Sequence, residues 1–200
     1  EKLRSMMPWI GENKLVDDQG ILTSLGRIVA EVNECNPLTL GYIIDSDMLY
    51  DLEFSEIVAL LSIFISDRSV EEIYLDDLDI RQELYDKLKR IKSFSDDLVI
   101  QETELNNYLP FGSWSDCYLH FSLFQAIKAW AELKQWNQVC HLYPTFEGNF
   151  VRNVLRLTNL IRNVEGIAKL TNNVILLDKL DGYQEKLIRD VVMIDSLYLG

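Results

Sequence analysis

Apolar residues recur along this chain at helical spacing. From Thr23 onward, Leu25, Ile28, Val29 and Val32 fall at i, i+3, i+4 and i+7, which predicts a helix ending near Asn36-Pro37. A second helix is predicted over Leu38–Asp47. A third covers Phe54–Ile65, with Ile57, Val58, Leu61, Phe64 and Ile65 on one side and Ser55 or Asp51 as its cap. The acidic stretch Glu71–Asp79 reads as a loop leading into Ile80–Ile91, where Leu84, Leu88 and Ile91 share a face. An aromatic-rich helix is predicted over Ser115–Leu133, a short one over Trp136–Leu142 before Pro144, and a last one over Asp178–Tyr198. In that last helix Leu180, Tyr183, Leu187, Val191 and Ile194 face inward. Residues 1–20, broken by Pro8, Gly11, Asn13 and Gly20, read as a lead-in from an upstream domain. Residues 93–116 are polar, contain Leu-Pro-Phe-Gly at 109–112, and read as an irregular connection. The pattern predicts an all-α helical bundle over residues 21–200, with Ile28, Val58, Leu61, Phe124, Trp130, Val154, Leu160 and Leu187 in its core.

The remaining periodic segment is the most informative. It opens at Phe146-Glu-Gly-Asn-Phe-Val-Arg152 and is apolar at Phe150, Val151, Val154, Leu155, Leu157, Leu160, Ile161, Val164, Ile167 and Ala168. A helix apolar over so wide an arc is buried on several sides. Arg152, Arg156, Asn159 and Asn163 stand at i, i+4, i+7 and i+11 and form one polar stripe along it. Two arginines and two amides can meet phosphate oxygens and base or sugar edges, so the stripe is a candidate track for a nucleic-acid strand. The blander reading is a solvated helix face. Arg162, about 100° around the helix from Asn163, is expected to point away from the stripe.

Charge bears on that choice. The 200 residues carry a net charge of −13, which argues against a general nucleic-acid surface, because phosphate affinity comes from Lys and Arg. The segment from Phe146 to Asn172 is different. It holds Arg152, Arg156, Arg162 and Lys169 against Glu147 and Glu165, so it is +2 and the rest of the chain is −15. A composition 48% hydrophobic and 26% charged supports a sizeable core. A chain that begins at Glu1 reads as a piece of something longer. It has neither a secretory signal nor an apolar run long enough to span a membrane. Cys35, Cys117 and Cys140 then read as reduced thiols in an intracellular protein.

Other chemistry is thinly represented. Cys117, His120, Cys140 and His141 lack the spacing of a zinc site, and ordinary core cysteines are the better reading. The acidic run Asp76-Asp77-Leu-Asp79 lacks the central glycine and closing glutamate of a calcium loop. The aromatic residues at 118–130 read as core before base-stacking surface. No phosphate-binding G-x-x-x-x-G-K-[ST] loop is present, so no ATP hydrolysis is expected of this chain and no catalytic or metal-binding residue is assigned.

Several segments taken together carry a resemblance: Thr23-Ser-Leu-Gly-Arg-Ile-Val-Ala-Glu-Val32, Asp51-Leu-Glu-Phe-Ser-Glu-Ile-Val-Ala-Leu-Leu-Ser-Ile-Phe64, Phe146-Glu-Gly-Asn-Phe-Val-Arg152 and Arg189-Asp-Val-Val-Met-Ile-Asp-Ser-Leu-Tyr-Leu199. Trp130 through Cys140 adds to them. In order and spacing they resemble the C-terminal helical (DSHCT) region of the exosome-associated, Ski-type DExH-box RNA helicases, over about residues 20–199. The resemblance implies a bundle built around a long central helix, the family's ratchet helix, which touches single-stranded RNA leaving the motor. It implies a parent that is an ATP-dependent RNA helicase, with two RecA-like domains holding ATP and magnesium, and with RNA-degradation machinery as a partner. One of the family's strand contacts falls at Arg156. A second, acidic in the family, falls at Asn159, and the family's frequent glycine at 133 is Leu here. An acidic protein-interaction module without RNA contact is the alternative.

Overall fold

A computed structural model describes residues 2–108 and 118–196, with side chains left aside at 2–6, 102–103, 105–108 and 194–196. Among the described residues the elements are helical, and the one β-feature is an isolated antiparallel bridge between Val16 and Leu22. All-α is the fold class.

The chain enters through α1 (Lys2–Glu12), so the lead-in is more ordered than its turn-forming residues suggest. Helix α2 (Ser24–Glu31) starts at Thr23, whose hydroxyl accepts from Gly26 N at 3.0 Å. Gly26 is required by proximity, since a Cβ there would stand 1.9 Å from the Leu15 carbonyl oxygen. Helix α3 (Pro37–Asp45) follows with Asn36 as cap and proline at its first position, where the missing N–H costs nothing.

Helix α4 (Phe54–Leu61) is capped two residues away from either expected position. Glu53 takes the N-cap position, and Glu56 reaches back to its N–H at 3.0 Å. A 3-10 turn at Ser62–Phe64 ends the run. Glu56 is itself buried and held by Arg81, whose Nε and NH2 donate to its two oxygens at 2.7 and 2.9 Å. That fork fastens the start of α4 to the start of α5 (Gln82–Tyr108) and holds the Glu56 carboxyl below its usual range.

Helix α5 corrects the expectation of an irregular connection from residue 93. The helix runs on to Tyr108, while 109–116 lie outside the described residues. The face Leu84, Leu88, Ile91 continues as Ser95 and Leu98, all buried. Phe94 stacks on Tyr42 at 4.2 Å. A small second cluster of Leu15, Leu38 and Leu98, flanked by Trp9, Leu25 and Phe94, ties α1, α2 and α3 to this extension. Polar residues on the other face hid the period.

The aromatic helix is shorter than expected. Helix α6 (Phe124–Ala131) starts late, Tyr118–Leu123 approach it without helix, and 115–117 are outside the described residues. Tyr118 is exposed rather than core. The His120 N–H donates to Ile63 O at 2.8 Å, so this approach lies against the end of α4. Helix α7 (Trp136–Val139), a 3-10 turn at Cys140–Leu142 and then α8 (Glu147–Leu170) follow.

The predicted last helix is three: α9 (Val174–Leu180), α10 (Tyr183–Leu187) and α11 (Val191–Ser196), with 197–198 outside the described residues. Gly182 at φ +68° and Asp190 at φ +48° break it, since left-handed residues turn the chain out of an α-helix. Folding back this way lets Leu180, Tyr183, Leu187 and Val192 all be buried.

Helix α8 packs on α2, α4, α9, α10 and α11, although α5 is the longer helix. The eight expected core residues, Ile28, Val58, Leu61, Phe124, Trp130, Val154, Leu160 and Leu187, are buried, whereas Val191, expected to face inward, is half-buried and the Ile194 side chain lies outside the described residues. On α8, Phe150, Val154, Leu157, Ile161 and Val164 are fully buried. Each such side chain contributes about 1.5–3 kcal/mol on burial.

Candidate nucleic-acid interface

The apolar arc of α8 is spent on its neighbours, so its polar strip is the part left over. Arg152, Arg156 and Asn159 are exposed on successive turns. The Arg152 NH2 donates to Asn149 Oδ1 at 3.2 Å, and the Arg156 NH1 donates to the Ser66 carbonyl at 3.2 Å. None of Arg152, Arg156 and Arg162 is in an ion pair among the described residues, whereas Arg81, Lys87, Lys92, Lys128, Lys134 and Lys169 are. Their charge therefore remains available.

The fourth stripe residue has other work. Asn163 Nδ2 donates to Glu31 O at 2.9 Å, and its Oδ1 accepts from Asn33 N at 3.1 Å. Both ends of the amide are engaged with the chain leaving α2. Arg162 departs from its expected direction. Its NH1 donates to Asn159 Oδ1 at 3.2 Å, which puts a third guanidinium at the edge of the strip. One turn of helix brings i and i+3 onto neighbouring surface, and the long side chain covers the rest.

Beneath the strip lies a polar lock that the stripe pattern does not contain. Asn153 is fully buried on α8, and its Nδ2 donates to Asp67 Oδ2 at 2.6 Å and to the Tyr143 hydroxyl at 2.9 Å. The Tyr143 hydroxyl in turn donates to Asp67. Burial pushes the Asp67 carboxyl up, but hydrogen bonds from Ser69, Tyr143 and Asn153 outweigh it and hold the group at about 2. Burial and then Asp67 push the Tyr143 hydroxyl up, so it keeps its proton and remains a donor. Among the described residues Asn153 Oδ1 has no hydrogen-bond partner, although it is buried. An asparagine inside an otherwise apolar arc was the available signal, because a buried amide needs partners.

Outside this region the candidate chemistry stays apart. Cys140 is half-buried with its Sγ 3.6 Å from Asn137 O, His141 is exposed, and Cys117 is outside the described residues. Among the described residues no group of three or more His, Cys, Asp or Glu side chains could hold a metal, and no helix is long and apolar enough to cross a membrane.

The described residues thus form an all-α domain with one arginine-bearing strip on a helix that is otherwise largely buried. The chain belongs to the DSHCT (NUC185) domain family, whose profile matches residues 19–195. It is 27% identical over 181 residues to the ATP-dependent RNA helicase mtr4 of Schizosaccharomyces pombe, covering 87% of this chain and 15% of that protein. It is 24% identical over 185 residues to the exosome RNA helicase MTR4 of Homo sapiens, covering 90% and 17%. With the antiviral helicase SKI2 of Saccharomyces cerevisiae the figures are 25% over 199 residues, 94% and 14%. The chain thus spans less than a fifth of the length of these relatives.

Proposed function

We propose that this domain packs against the ATPase core of an RNA helicase, closes its RNA channel and contacts the emerging single strand through α8. The observation that carries the reading is the exposed run Arg152, Arg156, Asn159, with guanidinium donors free of carboxylate partners in a chain of net charge −13. Arg156 is the first phosphate or sugar contact, steadied by the Ser66 carbonyl, and Arg152 is the second. Asn159 adds an amide that Arg162 orients, and Asn163 keeps α2 against the same helix. The relatives are named as RNA helicases, and MTR4 as an exosome helicase, which supports RNA and the helicase core as partners and RNA-degradation machinery as a further one. It also fits an intracellular setting. ATP and magnesium belong to the RecA-like domains of the parent in this reading, so the chemistry lies outside this chain.

The test uses a full-length chain containing this domain. Replacing Arg152 and Arg156 together by alanine should depress unwinding of a tailed RNA duplex while RNA-independent ATP turnover stays at the wild-type rate. Unwinding equal to wild type would leave the strip as a solvated face and favour the acidic interaction module instead.

A further inference from the structure

The arginine strip does not end at the edge of α8. The segment Ser66–Ser69, which follows the 3-10 turn at the end of α4, lies along the same side of the helix and is tied to it at three turns. Asn149 Nδ2 donates to Ser69 Oγ at 3.1 Å, Asn153 Nδ2 donates to Asp67 Oδ2 at 2.6 Å, and Arg156 NH1 donates to Ser66 O at 3.2 Å. Ser69 Oγ is also 3.0 Å from Thr145 Oγ1, just ahead of the helix. The Asp67 carboxylate is turned inward and spent on Ser69 N, Tyr143 and Asn153.

Arg68 stands between these anchored residues. It is exposed, and no hydrogen bond or ion pair among the described residues engages it. Two residues of chain span at most about 7 Å, so Arg68 starts close to the Ser66 carbonyl that the Arg156 guanidinium touches. Beyond it opens a cleft of about 910 Å3 whose wall also carries Glu72, Asp76, Lys89, Lys92 and Asp96. Asp96 pairs with Lys92, and Asp76 accepts from the Tyr85 hydroxyl, so that wall offers little net attraction for phosphate. Among the cleft's cations Arg68 and Lys89 are in no ion pair among the described residues, and the Arg156 guanidinium adds its charge at the Ser66 carbonyl.

From this we infer that the strand-contacting surface is a composite of α8 and the Ser66–Ser69 loop, with Arg68 as a further phosphate contact for single-stranded RNA. Asp67, Tyr143 and Asn153 are positioning residues that hold the loop so that Arg68 faces the strand. The inference rests on the α8 reading and adds to it a residue from a different element, about ninety positions away in sequence. A loop docked on the helix before RNA arrives loses little conformational freedom on binding.

The experiment measures binding of a labelled oligouridine to the full-length chain as a function of salt, for wild type, Arg68→Ala, Arg68→Lys, Arg156→Ala and Arg90→Ala. Arg90 is exposed on α5 and is the charge control. Each single-strand phosphate contact contributes about 0.7 to the steepness of the log–log salt dependence. Arg68→Ala should lose about that much, Arg68→Lys should keep it, and Arg90→Ala should match wild type. Thermal melting of Arg68→Ala should be unchanged, since the side chain is exposed and unpartnered. A loss with Arg156→Ala but none with Arg68→Ala would overturn the composite surface and leave α8 as the contact. Wild-type behaviour in both variants would overturn the α8 reading along with it.

Discussion

Trp130 and Arg189, 59 positions apart in sequence, hold each other. The Arg189 guanidinium lies 3.8 Å from the centre of the Trp130 ring, and its NH2 donates to the Trp130 carbonyl at 2.6 Å and to Lys134 O at 2.8 Å. The Trp130 indole N–H returns a bond to Leu187 O at 2.9 Å. One arginine thus caps the last carbonyls of α6, covers the largest core side chain and locks the turn after α10. Burial lowers the Arg189 pKa without threatening its charge.

Arg189→Ala should therefore destabilise the domain by about 1.5–3 kcal/mol, the range for charge-assisted hydrogen bonds. Arg189→Lys should recover only part of this, because a single ammonium cannot serve Lys186 O from one nitrogen and the Trp130 and Lys134 carbonyls from another, nor lie flat on an indole. Urea denaturation of the two variants is the measurement, and equal stability of Arg189→Lys and wild type would refute the fork.

Asp67 makes stability depend on acidity in a defined direction. Its folded-state pKa of about 2 lies below the ordinary aspartate value of about 3.9. The unfolded chain thus binds the proton more readily, so the stabilisation is fully present above about pH 4 and is lost as pH falls toward 2. Denaturation midpoints measured from pH 6 downward should fall more steeply for wild type than for Asp67→Asn over that window. Parallel curves would show that Asp67 has no such role.

Leu133 sits at φ +64° just past the end of α6 and is 61% exposed. The N–H of Lys134 reaches back to Ala129 O at 3.2 Å, as in a helix end built around a left-handed residue. A leucine there carries roughly 1–2 kcal/mol of backbone strain that glycine avoids. Because Leu133 contributes little burial, Leu133→Gly should raise stability by about 1 kcal/mol after the glycine's greater unfolded-state freedom is subtracted. A lowered melting temperature would mean that the exposed leucine packs more than its exposure indicates.

Leu160 is 2% exposed on α8, beside the strip and turned into the core. Leu160→Ala should cost about 2–5 kcal/mol through lost transfer energy and the cavity left behind. Circular dichroism should stay helical while the unfolding midpoint falls, and a dichroism spectrum dominated by strand would contradict the fold itself.

The apolar period was sufficient for the existence of most helices and for the core of α8, because a 3.6-residue repeat has few physical explanations besides a one-sided helix. Thr23 was readable as a start for the same local reason, a cap and its N–H partner lying within three residues, whereas Asn36, read as an end, caps the start of α3. The strip at Arg152, Arg156 and Asn159 was likewise legible, since helical geometry alone places those positions on one face. The long-range partners were not. Glu56 finds Arg81, Asn153 finds Asp67 and Tyr143, and Trp130 finds Arg189, each across 10 to 86 positions. The extension of α5 beyond residue 93 and the breaking of the last helix at Gly182 and Asp190 belong with them. In both, packing against distant elements outweighed local preference. Sequence determined which residues must be buried and which faces are polar, because burial pattern is written at short range. Tertiary structure decided which polar groups meet: it turned Asn163 toward α2, brought Arg162 onto Asn159 and laid Arg68 beside α8, since those contacts depend on where other helices come to rest.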